Sequence, residues 1–95
     1  MSGLKDDKLK PMPALLFVSL ARPLAQVVDV LTFGARKYAP DNWSKVEKER
    51  YWDALYRHLG AFHRGEKEDP ETGIHHLAHA ACNILFLLWH ETSED

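Results

Sequence analysis

Five of the six histidines in this 95-residue chain fall between His58 and His79. Projected on a helix at about 100° per residue, His75, His76, His79, Asn83 and His90 share one arc. Leu77, Ala78, Ala81, Ile84, Leu85 and Leu88 share the other side. Spacings of i, i+3 and i+4 make side chains neighbours, a geometry able to hold one metal ion or one anion. A solvated polar face that happens to use histidine is the alternative. His58, flanked by Tyr51, Leu55 and Phe62 on its own helical face, points inward and can meet this set, or serves as a hydrogen-bonded core histidine. Glu66, Asp69 and Glu71 are the carboxylates nearest the arc in sequence. Oxygen ligands of this kind suit Mg²⁺, usually one or two carboxylates with substrate phosphates completing the shell. Asp69 can instead cap a helix, and Glu66 can be a solvated loop charge.

Around this core lie groups suited to an anionic ligand. Arg57 and Arg64 form one end of a basic stripe that can receive phosphate. Asp53, four residues before Arg57, offers an intrahelical ion pair as the plainer account. Lys37, Tyr38 and Trp43 surround the first interhelical turn, where an aromatic can stack on a nucleobase or cap a small core. Other chemistries lack their parts. Cys82 has no second cysteine with which to build a zinc finger, there is no nucleophile elbow, and no glycine-rich phosphate loop occurs.

The elements that must position these residues are helical. Met1 to Pro13 carries Lys5, Lys8 and Lys10, two aspartates and two prolines without periodicity, and reads as a tail. Residues 14–95 read as a single domain. Ala14 to Ala21 is a short apolar helix, and Pro23 suits the first turn of the next helix. From Pro23 to Tyr38, Leu24, Val27, Val28, Leu31 and Ala35 follow the i, i+3, i+4 rule, which leaves Phe33 on the polar side. Pro40-Asp41-Asn42 makes a turn. Ser44 and Glu47 have capping-box spacing and predict a helix that carries Tyr51, Leu55 and His58 and stops at Gly65. Asp69 as N-cap and Pro70 as first residue predict a last helix from about Pro70 to Glu91. No strand pattern and no internal repeat occurs. The expected fold is all-α, a small bundle of three main helices plus a short N-terminal helix. Phe86 and Leu87 border the histidine arc, so the last helix is apolar nearly all round and must be enclosed. In so short a chain that predicts a homodimer or higher oligomer.

Composition bounds the function. Twelve basic and fourteen acidic residues give a net charge of −2, without the basic excess of a protein that coats a nucleic-acid polymer. Apolar content of 45% and charged content of 27% are those of a folded globule. One cysteine excludes an internal disulfide. The apolar run from Ala14 to Ala21 is far shorter than a membrane span and lacks the flanks of a signal peptide. The expectation is a soluble, cytoplasmic protein with no membrane partner.

The segments FGARKYAPDNW and YWDALYRHLGAFHRGEKEDPETGIHHLAHAACNILFL resemble a phage-associated domain family, the N-terminal domain of dATP/dGTP diphosphohydrolases. The resemblance rests on Phe33 to Tyr38, Asn42-Trp43, Arg57-His58, Gly65-Glu66, Asp69, Glu71 to Gly73, His76-Leu77, His79 and Asn83, and the stretch from Lys10 to Leu31 looks similar too. The layout is also similar to the all-α MazG-like nucleotide pyrophosphohydrolases. In those enzymes E-x-x-E and E-x-x-D motifs on two helices hold Mg²⁺ on a triphosphate while water attacks the α-phosphorus. The corresponding places here fall near Arg57, His58 and Ala61 and near His76 and His79, none of them a carboxylate.

The resemblance implies metal-dependent hydrolysis of a purine (deoxy)nucleoside triphosphate to monophosphate and pyrophosphate. It casts His58, Glu66 and His79 as catalytic and Glu66, Asp69, His76 and His79 as ligands of a divalent metal, Mg²⁺ or Mn²⁺. Lys37, Tyr38, Trp43, Arg57, Arg64 and Asn83 would bind substrate. The alternative is a non-catalytic nucleotide-binding protein of the same fold, a sponge for a signalling nucleotide. A histidine, arginine and asparagine site suits that role, or a softer metal. A purely structural helical module would leave the clustered histidines unexplained.

Overall fold

A computed structural model describes residues 8–93, all four of whose α-helices belong to one bundle. Lys8 to Pro13 form turns and irregular backbone, and the rest of the expected tail lies outside the described residues. Helix α1 is a single turn, Ala14–Phe17, and α2 spans Ala21–Lys37. Pro23 sits in the first turn of α2, where its missing N–H costs nothing. A 3₁₀ turn at Asn42–Lys45 leads to α3, Lys48–His63, and α4 runs His76–Ser93. Among the described residues, no helix is long and apolar enough to cross a membrane.

Two helix starts differ from the sequence expectation, for tertiary reasons. The capping box at Ser44 does not form. Ser44 Oγ donates to the Asp41 carbonyl at 2.7 Å, and Glu47 stands as N-cap of α3 without a side-chain bond. Trp43 is responsible: its ring stacks on Phe86 with centroids 5.1 Å apart and meets Trp89 edge-on at 4.9 Å. Tyr51 Oη also donates to the Trp43 carbonyl at 2.8 Å. Docking on α4 draws this backbone into a tight turn ahead of α3. Helix α4 likewise starts at His76 rather than Pro70. Asp69 N–H bonds the Ile74 carbonyl, and Gly73 N–H returns to the Asp69 carbonyl at 2.7 Å, closing a turn. Gly73 has φ +71, a left-handed conformation that glycine adopts freely and that no α-helix contains. The cap of α4 is His75, whose Nδ1 accepts the Leu77 N–H at 3.0 Å.

Helix α4 is the centre of the bundle, packed by α3 on one side and α2 on another. Leu55 of α3 packs with Ala80 and Leu87, supported by Tyr51 and Leu59. Val27 of α2 is buried, and Cys82 Sγ lies 3.5 Å from its carbonyl. Burial pushes the Cys82 thiol up to about 12, so it behaves as a small apolar core residue. Alanine at positions 78 and 80 lets neighbouring helices approach closely.

Both sides of α4 are divided between interior and surface, and Ala78 of the apolar side is buried at 7% exposure. His76 and Asn83, from the polar arc, are buried at 3% and 7% exposure. Leu77, Ile84, Leu85 and Leu88, from the apolar side, remain 45–55% exposed.

Candidate functional site

The inward polar arc of α4 meets α3 at a cluster of three imidazoles. His58 projects from α3, one turn beyond Leu55, because Leu55 and Leu59 anchor that face against α4. His76 and His79 occupy the first turn of α4, facing it. His58 and His79 lie parallel, with ring centroids 4.5 Å apart and an interplanar angle of 6°. His58 Nδ1 and His76 Nδ1 are 2.8 Å apart.

The loop between α3 and α4 supplies the carboxylates. It folds back on itself through a bridge between Glu68 and His75 and a 2.8 Å bond from His76 N–H to the Lys67 carbonyl. Gly65, with φ +100, turns the chain out of α3. Glu66 Oε1 then reaches His76 Nε2 at 2.7 Å. A carboxylate only accepts, so His76 Nε2 carries the proton. One of the two facing Nδ1 atoms donates to the other, and the tautomer sets which.

A second chain of bonds runs through Thr72. Asp69 Oδ2 accepts from the Thr72 N–H at 3.0 Å and from the Thr72 hydroxyl at 3.2 Å. The same hydroxyl oxygen lies 2.7 Å from His79 Nε2 and accepts the Ile74 N–H at 3.2 Å. Because the hydroxyl proton goes to Asp69, His79 Nε2–H donates to Thr72, and His79 Nδ1 keeps its lone pair. The Asp69–Thr72–His79 series thus fixes one tautomer.

The electrostatics favour neutral His58 and His79 rings beside an ionised Asp69. Burial, with the fields of His79 and His76, lowers His58 to about 4 against the pull of Asp69. Burial also lowers His79, opposed by Asp69. Burial pushes Asp69 up, but its two bonds from Thr72 and the nearby histidines outweigh that and hold it below the ordinary carboxylate value. His58, Asp69 and His76 each place a ligand atom within 4.8 Å of the others'. Two imidazole nitrogens and one carboxylate form a mixed donor set, which suits Mn²⁺, Zn²⁺ or Ni²⁺ better than Mg²⁺.

The remaining candidate residues divide by place. Asn83 is buried one turn beyond His79, and its amide donates to the His79 carbonyl at 2.9 Å. Lys37 Nζ pairs with Glu71 at 2.6 Å, which raises its pKa and ties the end of α2 to the loop that carries Asp69 and Thr72. Its ammonium also lies 5.4 Å from the exposed Tyr38 ring. Arg57 is exposed on α3, and the exposed Arg64 folds its guanidinium back over Gly60. Trp43 belongs to the aromatic stack two turns along α4 from His79. His90, the last member of the arc, lies in that stack as well, 5.0 Å from the Trp89 ring, its buried Nε2 without a hydrogen-bond partner among the described residues. His75 serves as the helix cap. Thr72 is the participant that sequence reasoning missed. Its signal was the Asp-x-x-Thr spacing, which places a hydroxyl and an N–H on one carboxylate.

A family model described as "dATP/dGTP diphosphohydrolase, N-terminal" matches residues 1–95. A protein of Salmonella phage PMBT28 named dATP/dGTP diphosphohydrolase is 36% identical to the chain over 89 residues. That alignment takes in 94% of this chain and 30% of the phage protein, so the chain spans less than a third of its relative's length. No solved structure matches. The chain belongs to the family of N-terminal dATP/dGTP diphosphohydrolase domains.

Proposed function

We propose that the histidine cluster between α3 and α4 is the hydrolytic site of a nucleotide pyrophosphohydrolase, which converts a purine deoxynucleoside triphosphate to its monophosphate and pyrophosphate. The observation that carries this reading is the convergence of His58, His76 and Asp69 within ligand distance of one another. His58, Asp69 and His76 would hold one divalent metal, with Mn²⁺ suited to the donors. A metal bound there supplies positive charge to phosphate oxygens and lowers the cost of charge developing on them.

The chain's own groups divide the remaining work. Glu66 accepts a hydrogen bond from His76 Nε2–H and so turns Nδ1 toward His58, the atom by which His76 would hold the metal. Asp69 and Thr72 hold His79 with its Nδ1 unprotonated and stabilise the ring once it gains a proton. His79 is thereby prepared to take the proton of a water whose oxygen bonds the α-phosphorus. The bond from that phosphorus to the bridging oxygen of the β-phosphate breaks, and pyrophosphate leaves with the electron pair. Lys37, held by Glu71 at the rim, offers positive charge to the leaving phosphates.

A second reading has one observation in its favour. The helix positions at which MazG-like enzymes carry paired carboxylates hold His58, His76 and His79 here. A site of that composition can capture a nucleotide and release it unchanged. Incubating the protein with each deoxynucleoside and ribonucleoside triphosphate, with Mn²⁺ or Mg²⁺, and separating products by chromatography decides between them. Monophosphate and pyrophosphate from dGTP or dATP, lost in His79→Ala, support hydrolysis. Intact nucleotide in every arm overturns it, and nucleotide retained through desalting then identifies a binder.

We also propose that the protein self-associates through α4. Leu77, Ala81, Ile84 and Leu88 follow a spacing of four and three, the seam by which helices pair, and the leucines and isoleucine of that seam are half exposed.

A further inference from the structure

The eleven residues from Pro11 to Ala21 contain no charged side chain, and every one of them is exposed. Helix α1 lies in this stretch and buries nothing. Phe17 stands 66% exposed, and Leu15, Leu16, Val18 and Leu20 are open to a similar degree. Bonds from the Leu20 N–H to the Leu16 carbonyl and from the Leu24 N–H to the Leu20 carbonyl carry a helical path from α1 into α2. Phe17, Leu20, Leu24, Val28 and Leu31 recur along that path at intervals of three and four, the spacing of one apolar seam. Leu24 alone among these five is drawn into the bundle, and the others are exposed. A continuous apolar patch of this kind marks a surface that another body covers.

The area to be covered is that of a protein partner. The chain exposes 7647 Å², against about 5,600 Å² for a folded monomer of 95 residues. Residues outside 8–93 account for at most about 1,400 Å², the whole surface of that many extended residues. An excess on the order of 1,000 Å² therefore belongs to the described residues, and a stable protein–protein interface covers about 800 Å² on each partner. The same molecule also carries a place for apolar side chains, a groove of about 250 Å³ between α2 and α4. Its walls include Pro23, Gln26 and Val27 of α2 and His75, Leu77 and Ala81 of α4, with no carboxylate, ammonium or guanidinium among them.

The register of the helices connects the two features. Helix α2 runs antiparallel to α4, since Lys37 at its end is tied to Glu71 before α4 begins, while Val27 lies beside Cys82. Followed backward, α2 leads through α1 past its own groove and toward the C-terminal half of α4. In a two-fold pairing along the α4 seam, Leu77 of one copy lies level with Leu88 of the other. Each α1 is then level with the first turns of the other copy's α4, where that copy's groove opens. We propose that α1 is an exchanged arm: Phe17 and Leu20 of each copy fill the groove between α2 and α4 of a second copy, which fills the first in return. The exchange closes on itself, as a two-fold dimer must, and leaves neither arm nor groove unmatched. His76 and His79 stand at that end of α4, so each arm braces the other copy's histidine cluster from outside. The inference rests on self-association through α4 for its register and adds the occupant of the groove.

Sedimentation velocity and cross-linking of the whole chain test the arm apart from the seam. Phe17→Ser should weaken association about tenfold to a hundredfold, as for loss of a central apolar anchor. Its circular dichroism spectrum should not change, because Phe17 is exposed within its own chain. A tagged Phe17→Cys chain mixed with an untagged Leu77→Cys chain should give a mixed dimer with a short bismaleimide. Either variant alone should give little, since the two copies of one position lie apart in the pair. The native Cys82 thiol is buried and common to every sample. Association undiminished by Phe17→Ser, or cross-linking in the mixture no greater than in either variant alone, overturns the exchanged arm. If Leu88→Glu yields monomer alongside such a result, the α4 seam survives without the arm. A wild type that is monomeric at every concentration overturns both.

Discussion

Replacing Thr72 with valine keeps the branched shape and removes one oxygen. That oxygen donates to Asp69, accepts from His79, and accepts from the Ile74 N–H. Hydrogen bonds to charged groups contribute about 1.5–3 kcal/mol and neutral ones about 0.5–1.5 kcal/mol. The site is only part-buried, so water recovers some of each loss and the lower ends of those ranges apply. The expected destabilisation of Thr72→Val is about 2 kcal/mol. In a domain of this size that lowers Tm by about 8–16 °C. Thr72→Ser keeps the hydroxyl and loses one methyl, a cost of up to about 0.8 kcal/mol. Urea denaturation of the metal-free protein, followed by circular dichroism at 222 nm, measures both variants against wild type. If valine and serine destabilise equally, the hydroxyl is not the link between Asp69 and His79. The proton assignment of His79 then fails with it.

The remaining expectations concern the core, acid and association. Leu55→Ala removes the α3 side chain packed against Ala80 and Leu87, and should cost about 2–5 kcal/mol by the same denaturation assay. His58 is lowered from 6.5 to about 4, so the unfolded chain takes up a proton before the folded one does. In the metal-free protein its contribution is complete above pH 6.5 and is lost as the pH falls toward about 4. After discounting for the partly open site, that amounts to about 1–2 kcal/mol, and His58→Gln should flatten this part of the pH–stability curve. Asp69, also held low, adds its loss only below its ordinary value of 3.8. Leu88→Glu, on the exposed seam of α4, should convert an associating wild type to monomer in sedimentation velocity, and a wild type that stays monomeric at all concentrations refutes the seam.

How much of this could be read in the sequence depended on whether neighbours in the chain or neighbours in space decided the outcome. Helices α2, α3 and α4 were visible because Leu24, Val27, Leu55 and Leu87 recur at helical intervals. The starts of α3 and α4 were not, because Trp43 docking on Phe86 and the left-handed Gly73 override capping signals that are correct locally. The meeting of His58 with His76 and His79 follows from inward faces on consecutive helices and was legible. Thr72 was not, since a hydroxyl in a loop carries no periodic signal. The orientation of α4 was the least accessible feature. Periodicity separates its polar arc from its apolar side, but histidines that satisfy one another and Glu66 can be enclosed while leucines stay outside.

The loop from Arg64 to His75 bears on the cost of filling the site. Most of its residues are exposed, yet its backbone bonds Asp69 to Ile74, Gly73 to Asp69 and His76 to Lys67. A loop already closed on itself has given up its freedom during folding, so a ligand need not impose order on it. Glu66, Asp69 and Thr72 therefore wait in position. Capture of a ligand should be limited by encounter and desolvation rather than by rearrangement of the chain.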